Sequence, residues 1–174
     1  VANYFFSDVH MAHNVTPTAK IAEEIMEVFT EEFKKYLDLD AQVITIYIGG
    51  DFYDRLVNLS QIESYEVDVF IFKFLRFCKK YNAQLRILEG TPSHDWKQSR
   101  RFELINEEAK LEVDLKYFDT LSIEYNDVTD LYVLYVPDEW EENPEETLSQ
   151  VKDLLIANNI DKVDIAVMHG NFEY

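Results

Sequence analysis

The stretch VITIYIGGDFYDR, from Val43 to Arg55, contains the pattern that decides the fold of this chain. Apolar and β-branched residues run up to two glycines, and two acids three positions apart follow. Such a run is typical of a buried strand that ends abruptly. Asp51 and Asp54 therefore lie at the end of a predicted strand. There they are either solvated residues of an exposed polar loop or ligands that hold another group.

Length and composition bound the possibilities. The 174 residues are enough for one domain with its own core, so we treat 1–174 as a single domain. No apolar run approaches the roughly 18 residues of a membrane span, and these residues show no signal-peptide pattern, so we expect no membrane association. The single cysteine, Cys78, excludes an internal disulfide and favours a cytoplasmic location. Because the chain starts at Val1 and stops at Tyr174, we expect the sequence to be a fragment of a longer protein.

The charge of the chain is strongly acidic. It has 16 basic and 34 acidic residues, which gives a net charge of −18. Such a surface repels phosphate backbones at long range and argues against tight non-specific DNA binding. It does not exclude a nucleic-acid substrate, because bound metal ions can be the largest local charges in a site.

Short apolar runs rich in β-branched and aromatic residues predict five strands. These runs are Asn3–Phe6, Gln42–Ile48, Gln84–Glu89, Leu131–Val136 and Asp164–Met168. The segment YFDTLSIEYNDVTDLYVLYV, residues 117–136, further predicts two or three antiparallel strands joined by tight polar turns.

Helical patterns lie between these runs. Thr16 is a predicted N-cap with Pro17 at the first helical position, and Ser60 opens a sequence with capping-box spacing. A third helix is predicted after Trp96, and a fourth with Asn143 as its cap. Strand alternating with helix predicts an α/β fold with a largely parallel sheet.

The rare residues of the chain all follow predicted strand ends. The chain has four glycines and four histidines, and they lie in the segments FFSDVHMAH, YIGGDFYDR, LEGTPSHDW and AVMHGNFEY. Ligands collect at the carboxyl ends of the strands in open sheets of this kind. Histidine and aspartate bind divalent metals, so a shared metal site is favoured over four unrelated loops.

Several of these residues have structural alternatives. His13 either contacts substrate or caps its own loop, and Asp54 is either an N-cap or an acceptor that supports a metal ligand. Asp95 either contributes to the site or only anchors its loop. Arg55 either grips a phosphate or pairs with one of the many surface acids.

Taken together, the motifs resemble the calcineurin-like metallophosphoesterases. That family carries Asp-x-His, Gly-Asp-x-x-Asp, Gly-Asn-His-Asp/Glu, a lone histidine and Gly-His-x-His, in this order. The matching segments here are DVH, GDFYD, GTPSHD and MHGN, which span the whole chain. The resemblance implies a β-sandwich flanked by helices, here truncated at its C-terminus.

The resemblance also implies a site with two divalent metal ions. Manganese is the first expectation, with magnesium, iron or zinc as alternatives. Asp51 matches the aspartate that bridges the two ions, and Asp8 and His10 match ligands of the first. His169 matches a ligand of the second ion, and His94 matches the catalytic histidine that protonates the leaving oxygen.

Two departures from the family pattern bear on these expectations. Ser93 occupies the position of the asparagine that binds the second metal, and a hydroxyl is a poorer neutral ligand than an amide carbonyl. The Gly-His-x-His motif, which supplies a histidine to each metal, is absent from these 174 residues. We therefore expect this chain alone to bind metal weakly and to be nearly inactive.

Within the family, the segments are most similar to the DNA-repair exonuclease branch, the SbcD type. This similarity implies a phosphodiester substrate such as DNA and an ATPase partner subunit. Lys97, Arg100 and Arg101 follow the His94 loop, and a helix starting there would present Lys97 and Arg101 on one face toward a phosphate. A solvated helix face is the alternative.

Two other functions stay open at this point. The segment GDFYDR is also similar to the phosphatase segment Gly-Asp-x-x-Asp-Arg, in which the arginine grips phosphate, so a phosphomonoesterase is possible. A non-catalytic α/β interaction domain that retains the fold is the alternative from a different class. The oligomeric state is not indicated by the sequence.

Overall fold

The computed structural model of the protein describes residues 1–36, 43–138 and 144–170, with the backbone alone at Pro144 and Leu148. Its first sheet contains four parallel strands, which are paired in the order in which they occur along the chain. These strands are β1 (Ala2–Phe6), β2 (Ile44–Ile48), β3 (Ala83–Leu88) and β4 (Leu115–Phe118).

The second sheet contains three strands, in which the middle strand pairs antiparallel with one neighbour and parallel with the other. They are β5 (Ser122–Asn126), β6 (Leu131–Val136) and β7 (Ile165–Met168). All five predicted strands are therefore confirmed to within two residues over the described chain, while Gln42 lies outside it. The predicted antiparallel pairing holds for β5 and β6, but β4 joins the parallel sheet instead.

Four α-helices occur in the described residues. They are α1 (Thr18–Phe33), α2 (Ile62–Lys80), α3 (Arg101–Glu108) and α4 (Pro144–Ala157). The predicted α/β class, with helices between the strands of a parallel sheet, is confirmed. No helix in these parts of the chain is long and apolar enough to cross a lipid bilayer.

Two predicted helix starts are wrong. Helix α1 begins at Thr18 after an extended Pro17, and the backbone N–H of Thr16 is bonded to a histidine ring instead of starting a helix. Helix α2 begins at Ile62 without a side-chain cap, so Ser60 does not form the predicted capping box. The predicted cap Asn143 lies outside the described residues.

The third helix is also displaced from its predicted position. A short 3-10 turn over Gln98–Arg100 precedes α3, and Lys97 lies before that turn in a left-handed conformation, with a φ of 63°. The sequence predicted that Lys97 and Arg101 share a helix face. They do not, because Lys97 lies outside the helix.

The two faces of the parallel sheet have different partners. Ile44, Ile46 and Ile48 on β2 are buried in a core with aromatic and aliphatic side chains of helices α1 and α2. Tyr47, which points to the opposite face because side chains alternate along a strand, packs with Tyr135 and other residues of the second sheet. The first sheet is thus covered by helices on one face and by the second sheet on the other.

A charged group lies between the two sheets. Arg86 on β3 is buried, and its Nε donates hydrogen bonds to both carboxylate oxygens of Glu124 on β5, each 3.0 Å long. Its Nη1 also lies 3.0 Å from Oδ1 of Asp114. Glu124 accepts further hydrogen bonds from Lys116 and Tyr135, so its buried charge is fully engaged. Because a buried charge is costly unless paired, these contacts fix how the sheets face each other.

We expect Arg86→Met to lower the free energy of unfolding by about 3–5 kcal/mol, because it leaves Glu124 buried without its principal cation. Lys116→Met removes the exposed partner of the same carboxylate and should cost only about 1 kcal/mol or less. Urea denaturation of both variants measures the difference. Equal losses would show that the buried pair does not hold the sheets together.

Candidate metal centre

The carboxyl ends of the strands meet at one edge of the parallel sheet, and their loops are joined by backbone hydrogen bonds. The backbone N–H of Asp8 donates to the carbonyl of Gly50 over 3.1 Å. The backbone N–H of His10 donates to the backbone carbonyl of Asp51 over 3.2 Å. These bonds continue the β1–β2 pairing beyond the strands. The second sheet reaches the same edge, because Nδ1 of His169, directly after β7, lies 2.9 Å from the carbonyl oxygen of Gly49.

The buried carboxylate of Asp51 occupies the centre of this edge. It accepts a 2.7 Å hydrogen bond from the backbone N–H of Thr91, and its second oxygen lies 2.9 Å from Nδ1 of His94. Nε2 of His169 lies 3.1 Å from its first oxygen. Burial alone would raise the pKa of Asp51, but the Thr91 N–H and the two imidazoles together bring that pKa below its usual value. The carboxylate is therefore held as an anion.

Two groups of side chains at this edge can each hold a metal ion, and they share Asp51. One consists of His10, Asp51 and His94, and the other of Asp8, Asp51 and His169. Within each group the ligand atoms lie within 4.8 Å of one another. Imidazole and carboxylate ligands suit divalent ions such as manganese, iron and zinc, so the donor set fits the predicted cofactors.

An unpartnered atom supports the same fit. Nδ1 of His10 is buried and makes no hydrogen bond among the described residues, although it lies 3.3 Å from Oδ1 of Asp54. A buried polar atom without a partner is costly, and ligation would satisfy it. The His10 ring also packs edge-on to the ring of His94, with 5.1 Å between the ring centroids.

The grouping differs from the one that the sequence resemblance implies. Asp8 and His10 fall into different groups, although both were predicted to bind the first ion. His94 stands among the possible ligands of one group, whereas it was predicted to act on the leaving oxygen. The positions of Asp51 and His169 agree with a bridging ligand and a ligand of one ion. The metal-binding and catalytic roles of all five residues stay predictions.

Three of the clustered residues have left-handed backbones. The φ angles are 53° at Asp8, 51° at His10 and 48° at Asp51. Non-glycine residues adopt this region infrequently, and each instance costs on the order of 1–3 kcal/mol unless the surroundings enforce it. The hydrogen bonds between the loops after β1 and β2 enforce the left-handed conformation here. The strain is the cost of directing these side chains toward one point.

Two glycines allow the loops to approach closely. A Cβ on Gly90 would overlap the backbone nitrogen of Asp51, although the backbone conformation of Gly90 itself is ordinary. Gly50 has a φ of 96°, and a Cβ there would lie 2.6 Å from Cγ of His169. Both positions therefore require glycine if Asp51 is to reach its partners.

Asp95 and His13 have structural contacts. Asp95 is fully buried and accepts 2.9 Å hydrogen bonds from the backbone N–H groups of Tyr53 and Gly90. Burial raises the pKa of Asp95 to about 7, although these two bonds oppose the shift. His13 is exposed, and its Nδ1 accepts bonds from two backbone N–H groups before α1. These contacts match the loop-anchoring and capping alternatives.

The other predicted residues lie around the cluster. Arg55 donates to the carbonyl of Ala12 over 3.1 Å and lies 3.4 Å from Glu63, which matches the surface-pair alternative. Oδ1 of Asp54 lies 3.3 Å from Nδ1 of His10 but accepts no hydrogen bond from it. Ser93 is exposed, and no hydrogen bond among the described residues ties its hydroxyl to Asp51.

Two residues near Asp51, Thr91 and Asp138, were not predicted from the sequence. The hydroxyl of Thr91 lies 3.3 Å from Oδ2 of Asp51, and it lies 3.2 Å from Oδ2 of Asp138. Asp138 comes two residues after β6, so the rule that pointed to the other strand ends could have found it. No residue type in the sequence pointed to Thr91, because its shortest contact with Asp51 is made by its backbone N–H and not by its side chain.

Comparisons with known proteins add little. No protein-family model matches the chain, and no curated protein matches it. Among solved structures, it is similar to the crystal structure of AQ665, a protein of unknown function from Aquifex aeolicus. The sequence identity is 19% and the TM-score 0.37, with 99% of this chain and 82% of that chain covered. Similarity at this level carries no argument about function.

We expect Gly90→Ala to disrupt the site, because the new methyl group would displace the backbone of Asp51. Gly49→Ala is the matched control, since a Cβ there would lie 3.3 Å from Cβ of Ser7, where a shift of a few tenths of an ångström suffices. The measurement is the rise in melting temperature on adding Mn²⁺. It should vanish in the Gly90 variant and persist in the control; an unchanged rise in both would contradict this role of Gly90.

Proposed function

We propose that this protein is a metal-dependent phosphoesterase that cleaves phosphodiester bonds in DNA, as the SbcD-type enzymes that its motifs resemble do. One observation carries the proposal: Asp51 belongs to both three-residue groups that could hold a metal ion. A carboxylate has two oxygens and can bridge two cations. The sandwich of two sheets with outer helices is compatible with the metallophosphoesterase fold, which is part of the same proposal.

The proposed cofactor is a pair of divalent ions, manganese first. When bound, two such ions would supply an activated water and neutralise charge on the phosphate. Asp8 and His169 would hold one ion and His10 the other, with Asp51 shared. Positive charge at this point would also offset the net charge of −18, which otherwise repels a DNA backbone.

His94 has the position of a general acid in this proposal. Its Nδ1 lies 2.9 Å from Asp51, and that contact fixes the orientation of the ring. With Nδ1 engaged, Nε2 is left to deliver a proton to the leaving oxygen. The same carboxylate thus orients the histidine and binds the cofactor.

The phosphatase alternative depends on Arg55 as a phosphate grip. Arg55 instead contacts the carbonyl of Ala12 and the carboxylate of Glu63, and these contacts favour the diesterase over the monoesterase. An ATPase partner follows from the same resemblance, and a cytoplasmic location from the single cysteine; both are proposed with it.

The test is manganese-dependent hydrolysis, by the full-length protein, of bis(p-nitrophenyl) phosphate beside the corresponding monoester, followed by single- and double-stranded DNA. We expect the diester and DNA to be cleaved and the monoester to be cleaved more slowly. Hydrolysis confined to the monoester would overturn the diesterase proposal. Absence of hydrolysis together with absence of any Mn²⁺ effect on melting would favour the non-catalytic domain.

Asp51→Asn should abolish nearly all activity and the Mn²⁺-induced rise in melting temperature, because an amide cannot bridge two cations as a carboxylate does. The substitution preserves shape, so the metal-free protein should still fold. Asp130→Asn is the control. Asp130 lies in the exposed β5–β6 turn, away from the cluster, and its carboxylate accepts a hydrogen bond from the hydroxyl of Tyr125. Activity within a few-fold of the parent in Asp51→Asn would refute the bridging role.

His94→Ala should lower kcat by about 10²–10⁴-fold while the Mn²⁺-induced rise in melting temperature is retained, as expected for a general acid. The two measurements separate the two roles open to His94. Loss of the Mn²⁺ effect would make His94 a metal ligand, as its place beside His10 and Asp51 also allows, and would refute the acid role.

A further inference from the structure

A small cavity lies beside the loop that carries His94. Its volume is about 200 Å³, below the 300–1,000 Å³ typical of sites for drug-sized ligands. Val57, Leu59 and Trp96 line it together with Tyr53, Lys97 and other polar residues. The size suits one flat ring system better than a whole nucleotide or peptide.

Trp96 is held in an unusual conformation at the rim of this cavity. Its φ is 33° and its side chain is 66% exposed. A left-handed backbone at a bulky residue is a genuine outlier, and such outliers persist only where the surroundings enforce them. Here the next N–H groups are fixed, since that of Lys97 donates to the buried Glu89 and that of Gln98 to the carbonyl of Asp95. The fold thus maintains a strained turn that exposes an indole ring.

A second, independent feature is the hydroxyl of Tyr53. Tyr53 lines the cavity and is 1% exposed, and its hydroxyl makes no hydrogen bond among the described residues. Native proteins pair nearly all such groups, because an unpaired one is costly. A ligand with a polar edge would satisfy it.

We propose that this cavity binds an unpaired nucleobase, which stacks on Trp96 and bonds to the hydroxyl of Tyr53. The substrate would then be a nucleic acid with an unpaired base near the scissile phosphate; this inference rests on the proposed function. Trp96 follows His94 by two residues, so their backbones lie within about 7 Å of each other. That reach suits the base of the nucleotide being cleaved or of its neighbour.

The charges around the cavity agree with this ligand. Lys97 is exposed, and its pair with Asp119 at 3.2 Å is a surface pair of the kind that contributes little, so its ammonium can turn to a phosphate. Stacking on an aromatic side chain tolerates any base sequence. A nucleobase also carries several hydrogen-bonding groups along its edge, whereas the ring of a phosphorylated tyrosine carries only its esterified oxygen.

The test measures base binding without metal or hydrolysis. In a Trp140→Phe background Trp96 is the sole tryptophan of the chain. Deoxyadenosine and thymidine, titrated with EDTA present, should quench its fluorescence saturably, and deoxyribose should not. Linear quenching equal to that of free N-acetyltryptophanamide would overturn the proposal. Saturable binding of N-acetyltyrosinamide in place of the nucleosides would assign the cavity to an aromatic side chain and also overturn it.

Tyr53→Phe supplies a second measurement. It should weaken nucleoside binding by about 2- to 10-fold, the usual effect of one hydrogen bond, without lowering the melting temperature, because the lost hydroxyl had no protein partner. Tyr47→Phe is the matched control, since the Tyr47 hydroxyl is also buried but belongs to the contact between the two sheets. Unchanged nucleoside affinity in Tyr53→Phe would refute the bond to the base.

The two proposals fail separately. Saturable nucleoside binding by a protein that hydrolyses no phosphodiester would leave the nucleobase cavity standing and remove the proposed function. Hydrolysis of DNA by a protein that does not bind nucleosides would do the reverse. A Trp96→Ala variant should, in addition, bind single-stranded DNA about 5- to 150-fold more weakly in the presence of Mn²⁺, while Tyr65→Ala, which removes an equally exposed aromatic ring from α2, should not.

Discussion

The placement of one buried carboxylate, that of Asp51, constrains the rest of this site. A carboxylate removed from water is costly unless its charge is compensated by hydrogen bonds or cations. Here the N–H of Thr91 and the rings of His94 and His169 compensate it; Thr91 and His94 follow β3, whereas His169 follows β7. The carboxylate therefore couples three loops, and a shift in any of them would uncover its charge.

This coupling depends on the way the two sheets pack. His169 follows a strand of the second sheet, whereas Asp51 follows a strand of the first. Their contact requires the sheets to face each other in one orientation, which Arg86 and Glu124 fix from within. Stacking of Phe118 on Tyr135, with 3.6 Å between ring centroids, adds an apolar contact to the same interface. The buried ion pair is thus a positioning element for a site at the edge of the sheet.

Part of the backbone strain of the described residues lies where the chemistry is proposed. Asp8, His10, Asp51 and Trp96 all have left-handed backbones, and all lie in loops after parallel strands. Strained residues of this kind cluster at functional sites, because their geometry is part of what the site does. The net charge of −18 does not oppose a cation there, since a negative field attracts positive charge. Geometry, strain and charge therefore point to one location.

Much of this organisation could be predicted from the sequence, because the signals are local. Strand runs such as ITIYI, and glycines and histidines at strand ends, identified the α/β class and the residues that converge on Asp51. Local signals did not decide where α1 and α2 begin: Pro17 stays extended, and Gln61 rather than Ser60 precedes α2.

The sequence by itself therefore determined which strand ends carry side chains that could hold a metal ion, since that depends on a few adjacent residues. Only the tertiary structure decided how they are grouped. Asp8 lies in one group with His169, which belongs to the other sheet. Thr91 contributes through its backbone N–H, which the residue type does not predict. Lys97 lies outside the predicted helix because its backbone N–H is bonded to the carboxylate of the buried Glu89. Such contacts join residues far apart in the chain or depend on burial, and neither quantity is encoded in local periodicity.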